Sequence, residues 1–279
     1  MRSKTIIKKR ILNGILFIVL LLVGLTMMLP FLWTLSASFK LNKDVLAYPV
    51  QWIPKQFNFD NYIQVWTEIP FGRYFLNTLK LSVIVTIGQL ITCSMASYAF
   101  AKIDFPGRNK LFLCYLATLM VPWHAIMIPQ FIIIKSMGFY NTHWAIIFIQ
   151  LFSAFGVFLM RQFMMGIPDE LCEAARIDGA GEAKIFGSII MPLCKPGLST
   201  LTIFTFNFMW NDYMAPMIYL DDDKLKTIQL GLATFSSQYN TQYNLIMAGT
   251  VCSMIPMIVI FCIGQKYLLQ GLSFSGLKG

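Results

Sequence analysis

The chain has 279 residues, 57% of them apolar and only 13% charged, with a mean hydropathy of +0.63. Soluble domains run nearer half apolar and a quarter charged, so a water-soluble enzyme and a disordered chain are both excluded. The net charge of +9 would point to nucleic acid in a soluble protein, but in so apolar a chain cationic residues are expected to flank membrane spans on the cytoplasmic side, with no nucleic-acid partner.

A basic start, with Arg2, Lys4, Lys8, Lys9 and Arg10, leads into an apolar run at about 11–33. It is too long for a signal peptide, and no small-x-small site follows before Ser36, so it reads as a retained span. The segment 36–75 carries Tyr48, Trp52, Phe57, Phe59, Tyr62, Trp66 and Phe71 among Pro49, Pro54 and Pro70. Aromatics at this density suit the membrane–water interface, and the loop is expected to lie there; a docking surface for an external partner is the alternative. Further apolar stretches fall at about 76–101, 110–133, 142–163, 197–220 and 244–269. Each is about the length that crosses a bilayer, and a helix satisfies its own backbone in lipid. The fold expected is an all-α membrane protein with six transmembrane helices in a single domain over 1–279. No length is left for a separate catalytic domain of ~100 residues. With the N-terminus inside, fourteen of the 22 Lys and Arg fall in inner segments, which places both termini in the cytoplasm. The six cysteines share no CxxC spacing and read as small buried hydrophobes, not as a disulfide framework or a metal site.

The long inner loop at 164–196 is the most informative segment. Pro168, Asp169 and Glu170 start a helix, with acidic groups at the positive end of its dipole. Gly179 and Gly181 stop or bend it. A second helix is expected over about 182–191, with Pro192 at its end. Ala174 and Ala175 allow close approach of another surface, while Glu173 and Arg176 fix register.

Glu173-Ala174-Ala175, Gly179, Ile189, Met191 and Pro192 stand at the spacing Glu-Ala-Ala-x3-Gly-x9-Ile-x-Leu-Pro, with Met191 in place of the Leu. This resembles the EAA loop of the inner-membrane permease subunits of ATP-binding-cassette (ABC) importers. Tyr98–Lys102 with Phe105-Pro106-Gly107-Arg108, Phe71–Thr78, Trp210-Asn211-Asp212-Tyr213 and the tail Gly271–Gly279 resemble the carbohydrate branch, in particular the shorter permease of the maltose-transporter type. The likeness runs nearly end to end.

The resemblance implies a permease that hydrolyses no ATP itself. No GxxxxGK[ST] phosphate loop occurs in the chain, so ATP and magnesium belong to a separate ATPase dimer, and this chain has no cofactor of its own. The implied partners are that ATPase pair, a second homologous permease, an extracytoplasmic sugar-binding protein and membrane lipid, in the cytoplasmic membrane of a prokaryote. Glu173, Ala174, Ala175, Asp178, Gly179 and Pro192 carry over as the ATPase-coupling element. Gly179 is expected to supply a positive φ or a close approach. The tail Ser275–Gly279 is expected near the ATPase pair, and 227–243 near the binding protein.

A neutral sugar needs hydrogen-bond partners and flat apolar faces, and polar groups within spans are expensive. Candidates for the substrate path are Asn207, Trp210, Asn211, Gln89 and Tyr98, with Asp212, Ser94, Gln130 and Gln150 behind them. The bland alternative for each is an interhelical hydrogen bond. His124 is expected to be packed or hydrogen-bonded. A proton-coupled carrier would need intramembrane carboxylates, and only Asp212 qualifies. An embedded protease or a channel lacks its signature. An ABC permease for another small solute is the nearest alternative.

Overall fold

The computed structural model describes residues 2–237 and 240–275, with side chains described except at 2–9, 11 and 267–275. Among the described residues the regular structure is helical apart from an isolated antiparallel bridge between Ser236 and Thr241. The helices are α1 Arg2–Ser38, α2 Asn42–Val45, α3 Asp60–Glu68, α4 Phe71–Lys102, α5 Arg108–Ala117, α6 Trp123–Ser136, α7 His143–Gln150, α8 Ala154–Met165, α9 Glu170–Ile177, α10 Glu182–Leu193 with a π-helical turn at Phe186–Ile190, α11 Lys195–Trp210, α12 Met214–Tyr219, α13 Ile228–Ala233 and α14 Tyr243–Ser275.

Three stretches are unbroken helices long and apolar enough to cross a membrane: Leu12–Ser38, Phe71–Lys102 and Tyr243–Lys266. The stretches expected as continuous spans at 110–133 and 142–163 are instead broken. Between α5 and α6 the axis turns by 99°, because Pro122 has no N–H to continue the helix and forces Val121 into extended backbone. Between α7 and α8 it turns by 41° at Leu151–Ser153, and Ser153 caps the new helix by accepting the Gly156 N–H at 3.0 Å. The stretch expected at 197–220 ends as a helix at Trp210, and α12 follows after Asn211–Tyr213. Asp212 Oδ1 accepts the Ala215 N–H at 3.2 Å and starts that last piece.

Carbonyls freed by a break cannot be left bare in an apolar medium. α4 supplies their donors at the α7–α8 break. Gln89 Nε2 donates to Gln150 O at 2.6 Å and Thr92 Oγ1 to Leu151 O at 2.6 Å, while Ser97 Oγ adds a bond to Val157 O within α8 at 2.7 Å. Small residues on the same α4 face allow close packing against α8 and α11. Gly156 lies so near Cys93 that an added Cβ would come within 2.7 Å of its sulfur. Gly197, at the first turn of α11, lies in the same way against the Phe163 ring of α8.

The chain divides into two bodies: one runs to Ile69 and includes Leu232–Ser253, and the other comprises Pro70–Gly231 with Met254 onward. In the first, Asn61 is fully buried. Its amide donates to Ser38 O and Lys40 O at 2.8 Å each, and its oxygen accepts from Asn58 at 3.2 Å and Asn244 at 2.8 Å. Phe39 packs against Phe57, Phe59 and Tyr62. The aromatic segment is therefore a folded cap around an amide, not a bare loop, yet Tyr48, Ile53, Phe57, Phe59 and Ile63 remain exposed on it.

Candidate functional site

Between α8 and α11 the loop folds as two short helices that meet at a glycine turn. α9 keeps Cys172 and Ala175 buried and turns Glu170, Glu173, Ala174 and Ile177 outward. The latter four stand at i, i+3, i+4 and i+7, one helical stripe. Ile177 is 86% exposed, and Leu171 beside it is also exposed. Of the residues expected to couple to an ATPase, Glu173, Ala174, Asp178 and Pro192 are thus at the surface, whereas Ala175 sits in the core with Cys172, Ile185 and Tyr98.

Gly179 has φ +81°. Ala180 N donates to Ala175 O at 2.9 Å and Gly179 N to Arg176 O at 3.0 Å, the paired bonds of a Schellman turn, which satisfies the last carbonyls of α9. A side chain in this left-handed conformation costs roughly 1–2 kcal/mol.

Polar side chains tie the loop to the end of α4. Lys102 Nζ donates to Asp169 Oδ1 and to Ile167 O, both at 2.5 Å. The Lys102 side chain is 2% exposed and that of Asp169 75%. Tyr98 OH donates to Glu182 Oε2 at 2.5 Å, and Arg176 Nε donates to Glu182 Oε1 at 2.7 Å. Arg176, with help from the Tyr98 hydroxyl, holds the Glu182 carboxyl below the usual carboxylate range. Because its pKa is lowered by the folded contacts, this carboxylate stabilises the arrangement at neutral pH, and that contribution is lost only as pH falls through the lowered value.

The residues expected on a substrate path separate into three places. Asn207 and Asn211 are exposed and share one face of α11 with exposed Phe204 and Phe208; Asn211 Nδ2 donates to Asn207 Oδ1 at 3.0 Å. Trp210 is buried, stacked on Phe206 at 5.5 Å and edge-on to Phe75 at 5.4 Å. Gln89 is buried too, accepting from Thr205 at 2.8 Å besides its bond to Gln150 O. Tyr98 lies at the loop, away from the asparagines in sequence and in contacts. Ser94 is fully buried and Gln130 accepts from Trp123 and Tyr219. His124, expected to be packed or hydrogen-bonded, is exposed, with Trp123 edge-on to its ring. Among the described residues no group of His, Cys, Asp and Glu could hold a metal ion. The tail expected near an ATPase lies outside the described residues from 276 onward, and 238–239 of the outer segment do too.

Sequence reading missed Lys102 and Glu182. A lysine at a span end reads as a flanking cation, and its burial against the loop depends on a contact 67 residues away.

Comparison with known proteins agrees with this architecture. The family described as binding-protein-dependent transport system inner membrane component matches residues 88–273. The arabinooligosaccharides transport system permease protein AraQ of Halalkalibacterium halodurans is 33% identical over 272 residues, covering 96% of this chain and 98% of its own length. The melibiose/raffinose/stachyose import permease protein MelC of Bacillus subtilis is 34% identical over 255 residues, covering 90% and 91%. A chain in the crystal structure of a bacterial ABC transporter involved in the import of the acidic polysaccharide alginate superposes with a TM-score of 0.80 at 25% identity, over 93% of this chain and 97% of that one. The chain belongs to the family of binding-protein-dependent transport system inner membrane components, and it is a multi-pass permease of the sugar ABC-importer type.

Proposed function

We propose that this permease forms half of the translocation path of an ATP-driven carbohydrate importer and is coupled to separate ATPase subunits through 164–196. It crosses the membrane six times as one transmembrane domain over 1–279 with both termini in the cytoplasm, α5–α6, α7–α8 and α11–α12 each counting as one crossing. ATP and magnesium are held by the ATPase dimer. A second, homologous permease completes the path, and an extracytoplasmic binding protein delivers the sugar. Glu173, Ala174, Asp178 and Pro192 face the ATPase, Ala175 packs behind them, and Gly179 shapes the turn.

The observation that carries the coupling reading is the outward stripe of α9, where an isoleucine is 86% exposed beside two glutamates. With the exposed Ala174 it makes an apolar stripe edged by Glu170 and Glu173, the kind of surface that a partner covers. Carbohydrate as the cargo is supported by the oligosaccharides named for the full-length relatives and by the α11 face, where Asn207 and Asn211 alternate with Phe204 and Phe208. Amides that face lipid are costly, whereas amides beside flat rings suit a sugar's hydroxyls and C–H faces. Gln89, Trp210 and Tyr98 are taken up by the chain's own contacts and support the path from behind. A phosphorylated polyol is the second reading, favoured by the sn-glycerol-3-phosphate transport system permease protein UgpE of Yersinia pestis, 30% identical over 263 residues.

The test is uptake of a labelled panel (raffinose, arabinooligosaccharides, diacetylchitobiose, glycerol 3-phosphate) in cells with and without the chain. Asn207→Leu with Asn211→Leu should raise the half-saturating sugar concentration about tenfold while the complex assembles, the scale expected for two lost hydrogen bonds. Unchanged uptake by the double variant removes the asparagines from the path.

A further inference from the structure

The loop is covalently continuous with α8 and α11, so a push on it reaches those two helices directly. α4 is joined to it only through side chains. We infer that Tyr98 and Lys102 are a latch through which the loop drives α4, positioning residues for transport and not sugar contacts. This rests on the reading of 164–196 as the ATPase-coupling loop.

Two ties make the latch. Lys102 Nζ holds the start of α9 through Ile167 O and Asp169. Tyr98 OH holds Glu182 at the start of α10, and Glu182 holds Arg176 near the end of α9. Arg176 Nη2 closes the circuit on Lys102 O at 3.4 Å. The second tie spans Gly179 and Gly181, where no neighbour lies within 4 Å of the place a Cβ would take, so packing does not brace the turn there. Without the Glu182 bridge, α9 and α10 could flex against each other at the glycines, and a push on α9 would be spent there. With it, the two helices and the α4 end form one rigid piece.

Burial argues in the same direction. The Lys102 side chain is nearly inaccessible while its carboxylate partner faces water. Parting α4 from the loop would break the bonds of a buried ammonium to Ile167 O and Asp169 together, a loss large enough to keep the two elements joined through a conformational change. The α4 face above the latch carries the donors that satisfy the α7–α8 break, so a movement of α4 reaches the middle of the bundle. Rigid elements that shift as units are the ordinary carriers of such coupling.

The test uses the complete importer in lipid nanodiscs and reads amide hydrogen exchange with and without ATP plus vanadate, so no sugar has to be known. In the wild type, exchange over 164–196 and over 98–105 should change together. In Tyr98→Phe and Glu182→Gln the loop should still respond, while the response at 98–105 falls at least about threefold; Lys102→Arg, which keeps the cation, should retain it. Thermal unfolding near the wild-type temperature confirms that the variants are folded. A wild-type response at 98–105 in both Tyr98→Phe and Glu182→Gln overturns the latch and leaves the coupling loop standing. A wild-type loop that does not respond to nucleotide overturns the coupling reading, and the latch with it.

Discussion

Replacing Ile177 by Asp is expected to strip the ATPase from the importer while leaving the permease folded and in the membrane. Ile177 is 86% exposed at the end of α9, so its loss should disturb little packing among the described residues; surface changes of this kind shift stability by about 0.5 kcal/mol or less. If α9 docks as proposed, the same side chain enters an apolar pocket of the ATPase, a gain of roughly 1.5–3 kcal/mol. A carboxylate forfeits that gain and carries its own desolvation cost, so the affinity should fall about a hundredfold or more. Glu173→Lys, one turn earlier on the same stripe, reverses a charge facing the partner and should weaken docking by a comparable amount. The measurement is the amount of ATPase recovered per tagged permease in mild detergent, with permease abundance in the membrane fraction as the control. Full ATPase recovery with both variants would mean that α9 is not the docking face.

Asn61→Leu is expected to unfold the cap around it selectively. The Asn61 amide serves four partners at once, and the side chain is fully buried. Leucine fits the volume but leaves Ser38 O, Lys40 O and the Asn244 amide without their partner. Each buried orphan costs about 1–3 kcal/mol, so the sum exceeds about 3 kcal/mol. That loss is comparable with the whole stability of a small folded unit. Limited proteolysis of the intact chain should then cut within 39–68 at least about tenfold faster, while the α4–α8–α11 bundle resists as before. Equal cutting rates would show that the aromatic cluster around Phe39, not the amide, holds the cap together.

How much of this was visible in the sequence depends on whether the deciding interaction is local. Helical class, the loop with two short helices and the glycine turn could be read directly, because Pro168, Gly179 and Gly181 act on their own backbone, and the φ of +81° at Gly179 is the conformation its place in the spacing calls for. The 99° turn at Pro122 was readable from the proline, but hydropathy over a 20-residue window averages across it. The 41° break at Leu151–Ser153 has no such marker, since it is stabilised from a distance by Gln89 and Thr92. Tyr98 shows the same limit from the other side. A tyrosine within a span can face a sugar or another helix, and only the placement of Glu182, 84 residues on, decides between them. Asn207 and Asn211, separated by one helical turn, could be paired from spacing alone; that Trp210 turns inward beside them could not.

The most direct test of the central claim is purification of the tagged chain from its native cells in mild detergent, with the co-purifying chains identified by mass spectrometry. The account predicts an ATPase that carries a GxxxxGK[ST] phosphate loop, together with a second permease homologous to this one. Recovery of the chain alone, in a preparation where other membrane complexes survive intact, would contradict it.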